Sequence, residues 1–389
     1  MDSDWILNHL GETREDYFGA VAPPLLQSSI FTFPNVAAMR AAAAQEMDAP
    51  FYTRGNNPTV RILRQKLAAL EGAEECLVFA SGAGAIAAAV IACVGAGDHV
   101  VCVQKPYSWT RALLADLLAR YGVQHDFVDA REPAQVAAAL RPQTRLIVLE
   151  SPNSLTFELQ DLGAIAQLAR ARGIVTLCDN SYATPLGQSP LALGVDLVAH
   201  SASKYIGGHS DVVAGVLCGS RALLERVFAG PFMTLGAVLS PHDAWLLLRG
   251  LRTLKLRMQR VAATAPRVAA FLAAHPRVAR VWYPHLPDHP QHALALRQMH
   301  QPSGLLSFAL RAADGAAIER FCDALARFLL AVSWGGYESL LCPMAAFLPA
   351  GAPLGCEPGR APAELIRLSI GLEDAEVLIA DLAQALERA

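Results

Sequence analysis

The chain has 389 residues, of which 53% are hydrophobic and 17% are charged, and its formal net charge is −3. This length exceeds what a single compact core usually holds, so we expect more than one domain. The charge balance argues against a nucleic-acid-binding surface, and the apolar content argues against a disordered chain.

The N-terminal segment MDSDWILNHLGETRED contains acidic residues and lacks the apolar core of a signal peptide, so we expect a cytoplasmic protein. The stretch from Cys76 to Gly97 contains no charged residue and is long enough to cross a bilayer core of roughly 30 Å. It is rich in alanine and glycine, however, so a buried strand, a glycine turn and a buried helix fit better than a membrane span. The eight cysteines form no CxxC pair, which favours buried, reduced thiols.

In chain order, residues 1–50 predict an N-terminal arm with a helix around NVAAMRAAAAQE. Residues 51–240 predict a larger domain in which helices alternate with the strands CLVFA, HVVCV, RLIVLE, IVTLCDN, DLVAH and VVAGVLCG. Such apolar strands predict a mostly parallel or mixed sheet covered by helices on both faces.

Residues 241–389 have a different pattern, in which a long helical segment precedes the strand-like runs VARVWYP, GLLSFAL and LIRLSIGLE. This pattern predicts a smaller C-terminal α+β domain. The expected fold class is therefore α/β, with a large sheet-containing domain, a smaller domain and an arm.

Two distinctive side chains follow predicted strands of the larger domain. Asp179 lies at the end of IVTLCDN, and Lys204 follows DLVAH within HSASK. Since the carboxyl ends of parallel strands share one edge of a sheet, we expect both side chains to face the same ligand site. Pyridoxal phosphate needs such a pair, a lysine that bonds to it and an acid that pairs with its ring nitrogen. Each residue alone also fits a structural role, as a solvated lysine and as a helix cap.

A phosphate site should accompany this pair. The segment ASGAGA at 80–85 follows a strand and opens a helix, where backbone N–H groups can approach an anion. Ser201 and Ser203 flank Lys204 and offer hydroxyl donors, although they could equally cap a turn. His200 and His209 lack partners at metal-ligand spacing, so we expect no metal site.

Eight motifs in order make the chain resemble a known family. They are YTRGNNPT, FASGAGA, LESPNS, CDNSYATP, HSASKYIGGHSD, RGLRTLKLRM, SWGGYESL and RLSIGLED. Together they resemble the pyridoxal-phosphate-dependent enzymes of Cys/Met metabolism, the cystathionine lyase and synthase family of fold type I. The resemblance covers nearly the whole chain and implies pyridoxal 5'-phosphate as the cofactor.

The resemblance also implies roles for residues that contact the cofactor. Lys204 would bond to it and later remove the substrate α-proton, and Asp179 would hold the ring nitrogen with Asn180 beside it. Tyr107 would stack on the ring, unless it is an ordinary core aromatic. The phosphate would be bound by Gly82, Ala83, Ser201 and Ser203.

The family pattern further implies a shared site in a homo-oligomer, a dimer of dimers. Tyr52 and Arg54 match residues that reach the cofactor phosphate of a neighbouring subunit, and Tyr52 would also contact the substrate. Arg367 matches the arginine that binds the substrate α-carboxylate, a task for which its planar fork is suited. Packing roles for Tyr52, and structural ion pairs for Arg54 and Arg367, are the alternatives.

Within the family, two stretches favour a reaction at the β-carbon. Trp334 and Tyr337, in SWGGYESL, resemble bacterial cystathionine β-lyases, and Ser154 stands where γ-enzymes commonly have asparagine. We therefore predict β-elimination of L-cystathionine to homocysteine, pyruvate and ammonia, with Ser333 and Trp334 near the thioether substrate. A γ-lyase, a γ-synthase or another cysteine-S-conjugate lyase of the same family is the alternative, and a binding protein on a retired scaffold is less consistent with the retained Lys204 and Arg367.

Overall fold

The computed structural model describes residues 2–311, 314–349, 353–354 and 362–389. Over these residues the chain has an α/β fold with one sheet of seven strands and a second sheet of five strands. The strands of the larger sheet are β1 Glu75–Phe79, β2 His99–Val103, β3 Gln124–Val128, β4 Thr144–Glu150, β5 Val175–Asp179, β6 Leu197–Ser201 and β7 Gly215–Gly219.

The helices of residues 2–240 include those that cover the faces of the larger sheet. They are α1 Ser3–Asn8, α2 Val36–Ala43, α3 Pro58–Glu71, α4 Gly82–Cys93, α5 Ser108–Ala112, α6 Pro133–Ala139, α7 Leu162–Arg170, α8 Thr184–Gly187, α9 Arg221–Val227 and α10 Met233–Leu235. Short 3-10 turns span Arg14–Tyr17 and Leu118–Tyr121, and π-helical turns span Leu113–Leu117 and Phe228–Phe232. The helix predicted in the arm is α2.

The larger sheet has the strand order β1-β7-β6-β5-β4-β2-β3. The pairs among β2 to β6 are parallel, and β7 runs antiparallel to β1 and β6. In β1, Leu77 and Phe79 belong to the apolar cluster on the α4 face, whereas Cys76 and Val78 belong to the cluster on the α3 face. Burial on both faces explains why these strands are continuously apolar, and it confirms the predicted mostly parallel sheet.

Two strands differ from the prediction. The edge strand β3 was not predicted, because its residues Gln124–Val128 are only partly buried and form no apolar run. The last predicted strand begins at Gly215 rather than Val212. Its preceding residue, Ala214, instead exchanges hydrogen bonds with Ser203, beside Lys204.

The smaller sheet lies beyond the long helix α11 Pro241–Ala274, which Ser240 caps by accepting a hydrogen bond from the N–H of Asp243 at 3.0 Å. Its strand order is β10-β11-β12-β9-β8. These elements are β8 Val278–Trp282, α12 His292–Gln298, β9 Leu305–Leu310, α13 Gly315–Ala324, β10 Leu329–Leu330, β11 Leu340–Pro343, a 3-10 turn Met344–Phe347, β12 Leu365–Ser369 and α14 Ala375–Leu386.

The beginning of the arm is attached to the larger domain by a buried lysine. The Lys66 amine donates a hydrogen bond to the carbonyl of Ile6 at 2.8 Å and pairs with the Glu12 carboxylate at 3.0 Å. Seven cysteines are buried and free, and Cys356 lies outside the described residues. Within the described ranges, no helix combines the length and hydropathy that a membrane span needs.

Candidate active site

A cavity of about 780 Å³ lies where β4, β5 and β6 end, with the loop before β11 on its other side. The chain therefore places this cavity at the edge where parallel α/β sheets bind ligands. Many of the predicted site residues line it, namely Gly82, Ala83, Tyr107, Asp179, Ser201, Ser203, Lys204, Ser333 and Trp334. Ser154 and Tyr337 line it too.

Lys204 differs from the other lysines in its partners. The sequence has four lysines, and Lys66, Lys105 and Lys255 each pair with a carboxylate. The Lys204 amine instead donates a hydrogen bond to the hydroxyl of Ser333 at 3.0 Å. Burial, followed by the positive charge of Arg367, lowers the pKa of Lys204, and the negative charge of Asp179 opposes them. A larger fraction of the amine is therefore neutral, as a nucleophile or base requires.

Asp179 is fixed by the residue two positions along the chain. Its Oδ1 accepts hydrogen bonds from the backbone N–H of Ser181 at 2.9 Å and from the Ser181 hydroxyl at 2.5 Å. The same hydroxyl accepts a hydrogen bond from the N–H of Ser201 at 2.7 Å. Ser181 thus connects the acid at the end of β5 to the end of β6. Sequence reasoning did not identify it.

A second carboxylate, Glu150, also lines the cavity and was not predicted. It is the in-register neighbour of Asp179 across the β4–β5 pair. Its Oε2 accepts a hydrogen bond from the N–H of Tyr107 at 2.6 Å, and its Oε1 accepts one from the hydroxyl of Ser154. Burial and the charge of Asp179 raise the pKa of Glu150. The signal was available, because Glu150 ends a buried strand at the same sheet edge.

The start of α4 fits a phosphate group. The Ser81 hydroxyl caps this helix by accepting a hydrogen bond from the N–H of Gly84 at 3.0 Å. Within the described part of the chain, the N–H groups of Gly82 and Ala83 have no acceptor. A Cβ at Gly82 would lie 2.8 Å from both Cα and Cβ of Ser201, so only glycine permits this close approach. Open N–H groups at a helix N-terminus beside a hydroxyl suit a phosphate dianion.

The two serines beside Lys204 differ in their hydrogen bonding. The Ser201 hydroxyl lines the cavity and has no partner in the part of the chain that the structure describes. The Ser203 hydroxyl accepts a hydrogen bond from the N–H of Ala214 at 2.9 Å. Ser201 is therefore the better placed of the two to bind a phosphate, and Ser203 also holds the chain in position.

Tyr107 lines the cavity, whereas Arg367 lies outside its lining and contacts the loop that carries the lining residue Ser333. Burial and the negative charges of Asp179 and Glu150 raise the pKa of Tyr107, so its phenol stays protonated at neutral pH. Arg367 is buried and donates hydrogen bonds to the carbonyls of Val332 and Ser333. Among the described residues, no carboxylate lies within ion-pair distance of it. A buried guanidinium without an acid favours binding of an anion such as a carboxylate.

Besides Arg367, three predicted residues lie away from the cavity lining. Tyr52 is 40% exposed, and the Arg54 guanidinium lies 5.3 Å from the centre of its ring. Asn180 is fully buried on the opposite face of β5 from Asp179, where its amide donates a hydrogen bond to the carbonyl of Gln188 at 2.9 Å. Adjacent strand residues face opposite sides of a sheet, which explains why Asn180 supports the site only from behind.

The two histidines considered for a metal have other partners. His200 pairs with the Glu71 carboxylate, and His209 contacts the carbonyl of Gly207 at 2.7 Å through Nδ1. No group of three or more metal-ligating side chains occurs in the described ranges.

Residues 5–387 match the model of one protein family, described as Cys/Met metabolism PLP-dependent enzyme. The chain belongs to this family. Its cofactor is accordingly pyridoxal 5'-phosphate, and the residues around the cavity fit that group.

Similar proteins include several that are named as γ-lyases or γ-synthases. The chain is 42% identical to L-methionine gamma-lyase from Pseudomonas putida, over 97% of this chain and 96% of that protein. It is 41% identical to cystathionine gamma-synthase from Mycobacterium tuberculosis (strain ATCC 25618 / H37Rv), over 97% of this chain and 95% of that protein.

A solved structure supports the same family and fold. The crystal structure of metB from Corynebacterium glutamicum has a TM-score of 0.92 and 35% sequence identity, and the match covers 100% of this chain and 98% of that one. The predicted family is thus confirmed. The more specific prediction of a cystathionine β-lyase is not, since these relatives are named for γ-reactions.

Proposed function

We propose that this enzyme breaks the bond between sulfur and the γ-carbon of a thioether amino acid. The single observation that carries the proposal is that Lys204 and Asp179 line one cavity with the buried Arg367 acting on Lys204, while no carboxylate of the described residues pairs with this lysine. The names of the relatives, an L-methionine γ-lyase and a cystathionine γ-synthase, support the choice of the γ-carbon.

Pyridoxal phosphate, when bound, supplies an electron sink for the negative charge that develops as the α-proton leaves. The residues of the chain then divide the remaining work. Asp179 would pair with a protonated ring nitrogen, and Gly82, Ala83 and Ser201, which line the same cavity, would bind the phosphate. Arg367 binds the substrate carboxylate and thereby orients the α-carbon.

Lys204 acts as the base in this account. Its lowered pKa provides a neutral amine, which can accept the proton from the α-carbon. A γ-elimination needs a second proton to leave the β-carbon. A single long side chain held by one hydroxyl, that of Ser333, can move between these adjacent carbons. Tyr107, whose phenol stays protonated, is suited to donate a proton to the departing thiolate.

Elimination at the β-carbon is the second candidate, and a specific observation favours it. Trp334 and Ser154, which resemble the β-lyase pattern, both line the cavity. The Lys204 amine lies 5.7 Å from the centre of the Trp334 ring, and Ser154 donates its hydrogen bond to Glu150. The residues that differ between the β- and γ-patterns are therefore at the site.

The two candidates differ in their keto-acid products. We would incubate the cofactor-loaded protein with L-methionine and with L-cystathionine and identify the products by mass spectrometry, with Lys204→Arg as the control. The proposal predicts 2-oxobutyrate, with methanethiol from methionine and cysteine from cystathionine. Pyruvate with homocysteine from cystathionine would establish β-elimination instead. Release of neither keto acid would contradict both candidates.

We also propose that the enzyme is a homo-oligomer in which Tyr52 and Arg54 complete the site of a neighbouring copy. Both residues are exposed and lie outside the lining of the cavity in their own chain. An exposed aromatic residue beside an exposed guanidinium is well suited to contact a phosphate and ring from another subunit.

A further inference from the structure

We infer that Arg257 is a positioning residue for Lys204, which it holds by binding the backbone turn that carries this lysine. Arg257 lies on α11 in the motif RGLRTLKLRM, and the proposed chemistry assigns it no role. The inference rests on the proposed role of Lys204. It does not depend on which carbon–sulfur bond the enzyme breaks.

The turn after Lys204 is tight and needs an external donor. The N–H of Gly207 donates to the carbonyl of Ala202 at 2.8 Å, and the N–H of Gly208 donates to the carbonyl of Lys204 at 2.7 Å. The chain then turns away at Gly208, which has φ +67°. The carbonyls of Tyr205 and Ile206 therefore lack the amides that a continuing helix would provide.

The Arg257 guanidinium supplies the missing donors. Its Nη1 donates to the carbonyl of Tyr205 at 2.6 Å, and its Nη2 lies 3.5 Å from the carbonyl of Ile206. The same Nη2 donates to the carbonyl of Gly250 at 2.9 Å, and Nε donates to the hydroxyl of Thr253 at 3.0 Å. One side chain thus joins the turn to α11, as the planar fork of arginine permits and a lysine does not.

Packing leaves little freedom in this arrangement. A Cβ at Gly208 would lie 1.9 Å from Nη1 of Arg257, so the guanidinium fills the space beside the turn. Arg257 is 5% exposed, and no carboxylate pairs with it in the described part of the chain. Burial lowers the pKa of Arg257 to about 10, because the loss of water around a charged guanidinium disfavours its charged form.

The backbone segment that carries Ser333 is also held by a buried arginine. Arg367, also buried, donates to the carbonyls of Val332 and Ser333. Two buried guanidinium groups therefore hold the two backbone segments whose side chains meet at 3.0 Å. Loss of Arg257 should make the turn that carries Lys204 more mobile and leave the loop that carries Ser333 in place.

The test compares Arg257→Lys with Arg267→Gln, an exposed position on the same helix whose side chain pairs with Glu376. Hydrogen exchange of the apoprotein and visible spectra of the cofactor-loaded enzyme are measured for both, together with kcat and KM. We expect about fivefold faster exchange of the peptide covering 201–208 in Arg257→Lys. We also expect an altered pH titration of the cofactor absorbance and a kcat at least about tenfold lower, with KM changed less than about twofold.

Arg267→Gln should match the wild type in all of these measurements. If Arg257→Lys folds but leaves exchange at 201–208 and the absorbance titration unchanged, the inference is wrong, even if the melting temperature falls. Should Arg257→Lys fail to fold, Thr253→Ala is judged by the same two readouts; it removes the hydroxyl that accepts from Nε of Arg257 and donates to the carbonyl of Gly250. A failure of the proposed function is seen separately, as a wild-type enzyme that forms no 2-oxobutyrate.

Discussion

The amine of Lys204 lies 3.0 Å from the hydroxyl of Ser333, so a residue that follows β6 of the larger sheet meets a loop of the smaller sheet inside one cavity. This contact is what makes the site depend on both halves of the chain. Among the residues that the structure describes, neither Lys204 nor Ser333 has a carboxylate partner at this point. The predictions below test the groups that surround the contact.

Gly82→Ala should weaken cofactor binding. The new Cβ would lie 2.8 Å from two atoms of Ser201, so the start of α4 must move away from β6 and its N–H groups from the phosphate. We expect the dissociation constant for pyridoxal phosphate to rise at least about tenfold, which corresponds to about 1.4 kcal/mol. Titration of the apoprotein followed by absorbance measures it.

The matched control is Gly84→Ala, two residues along the same helix. There a Cβ would meet only side-chain atoms, with the Ser81 hydroxyl at 3.2 Å and the Ala237 Cβ at 3.6 Å as the nearest. Alanine also favours the helix, so we expect near-normal affinity. Equal affinities for the two variants would argue against phosphate binding at Gly82.

Arg367→Gln should raise the pKa of Lys204. The positive charge of Arg367 contributes to lowering the pKa of Lys204 below 10.5, and only the neutral amine reacts with an aldehyde. In the apoprotein, the rate of cofactor attachment should rise with pH at a midpoint below 10.5 in the wild type and at a higher pH in Arg367→Gln. Arg367→Lys keeps the charge and should resemble the wild type. Identical midpoints for wild type and Arg367→Gln would show that this charge does not act on Lys204.

Glu150→Gln should alter the pH dependence of stability in the apoprotein. The folded-state pKa of Glu150 is raised above its reference value of 4.5, so the folded state binds this proton more tightly than the unfolded state. The resulting stabilisation is present below 4.5 and is lost as the pH rises through the folded-state value. Urea unfolding over this range should show a steeper fall for the wild type than for Glu150→Gln.

The exposed Glu132, whose side chain caps no helix, provides the control. Glu132→Gln should retain the wild-type slope. A Glu150→Gln variant whose stability falls with pH as steeply as that of the wild type would mean that folding does not raise the pKa of Glu150.

Subunit mixing tests the shared site. Arg54→Ala and Lys204→Ala should each be nearly inactive alone. If Arg54 acts on the site of a neighbouring copy, hybrids contain one intact site, and random mixing should restore up to about a quarter of wild-type activity. Activity assays after joint refolding of the two variants measure this. No recovery in confirmed hybrids would place Arg54 in the site of its own chain.

The strand-end rule accounts for most of what could be predicted from the sequence. Asp179 and Lys204 follow neighbouring parallel strands, and both line the cavity, as that rule requires. Glu150 obeys the same rule but was overlooked, because a charged residue after an apolar run also marks an ordinary strand end. The edge strand β3 escaped detection since it has no apolar run.

Other features depend on tertiary contacts that periodicity does not encode. Arg257 lies on a helix with many buried residues, but its contact with the turn at Tyr205 and Ile206 joins segments about 50 positions apart. The choice between β- and γ-elimination is another case. Trp334 and Ser154 favoured the β-carbon, whereas the relatives over the whole chain favour the γ-carbon.

The central claim is that Lys204 is the residue that bonds to the cofactor, and it can be tested by reducing the cofactor-loaded enzyme with borohydride and mapping its peptides by mass spectrometry. With only four lysines in the chain, the assignment is unambiguous. The account predicts that the added mass of the reduced cofactor lies on Lys204, and that Lys66, Lys105 and Lys255 remain unmodified. Modification of one of those three with Lys204 free would contradict the site described here.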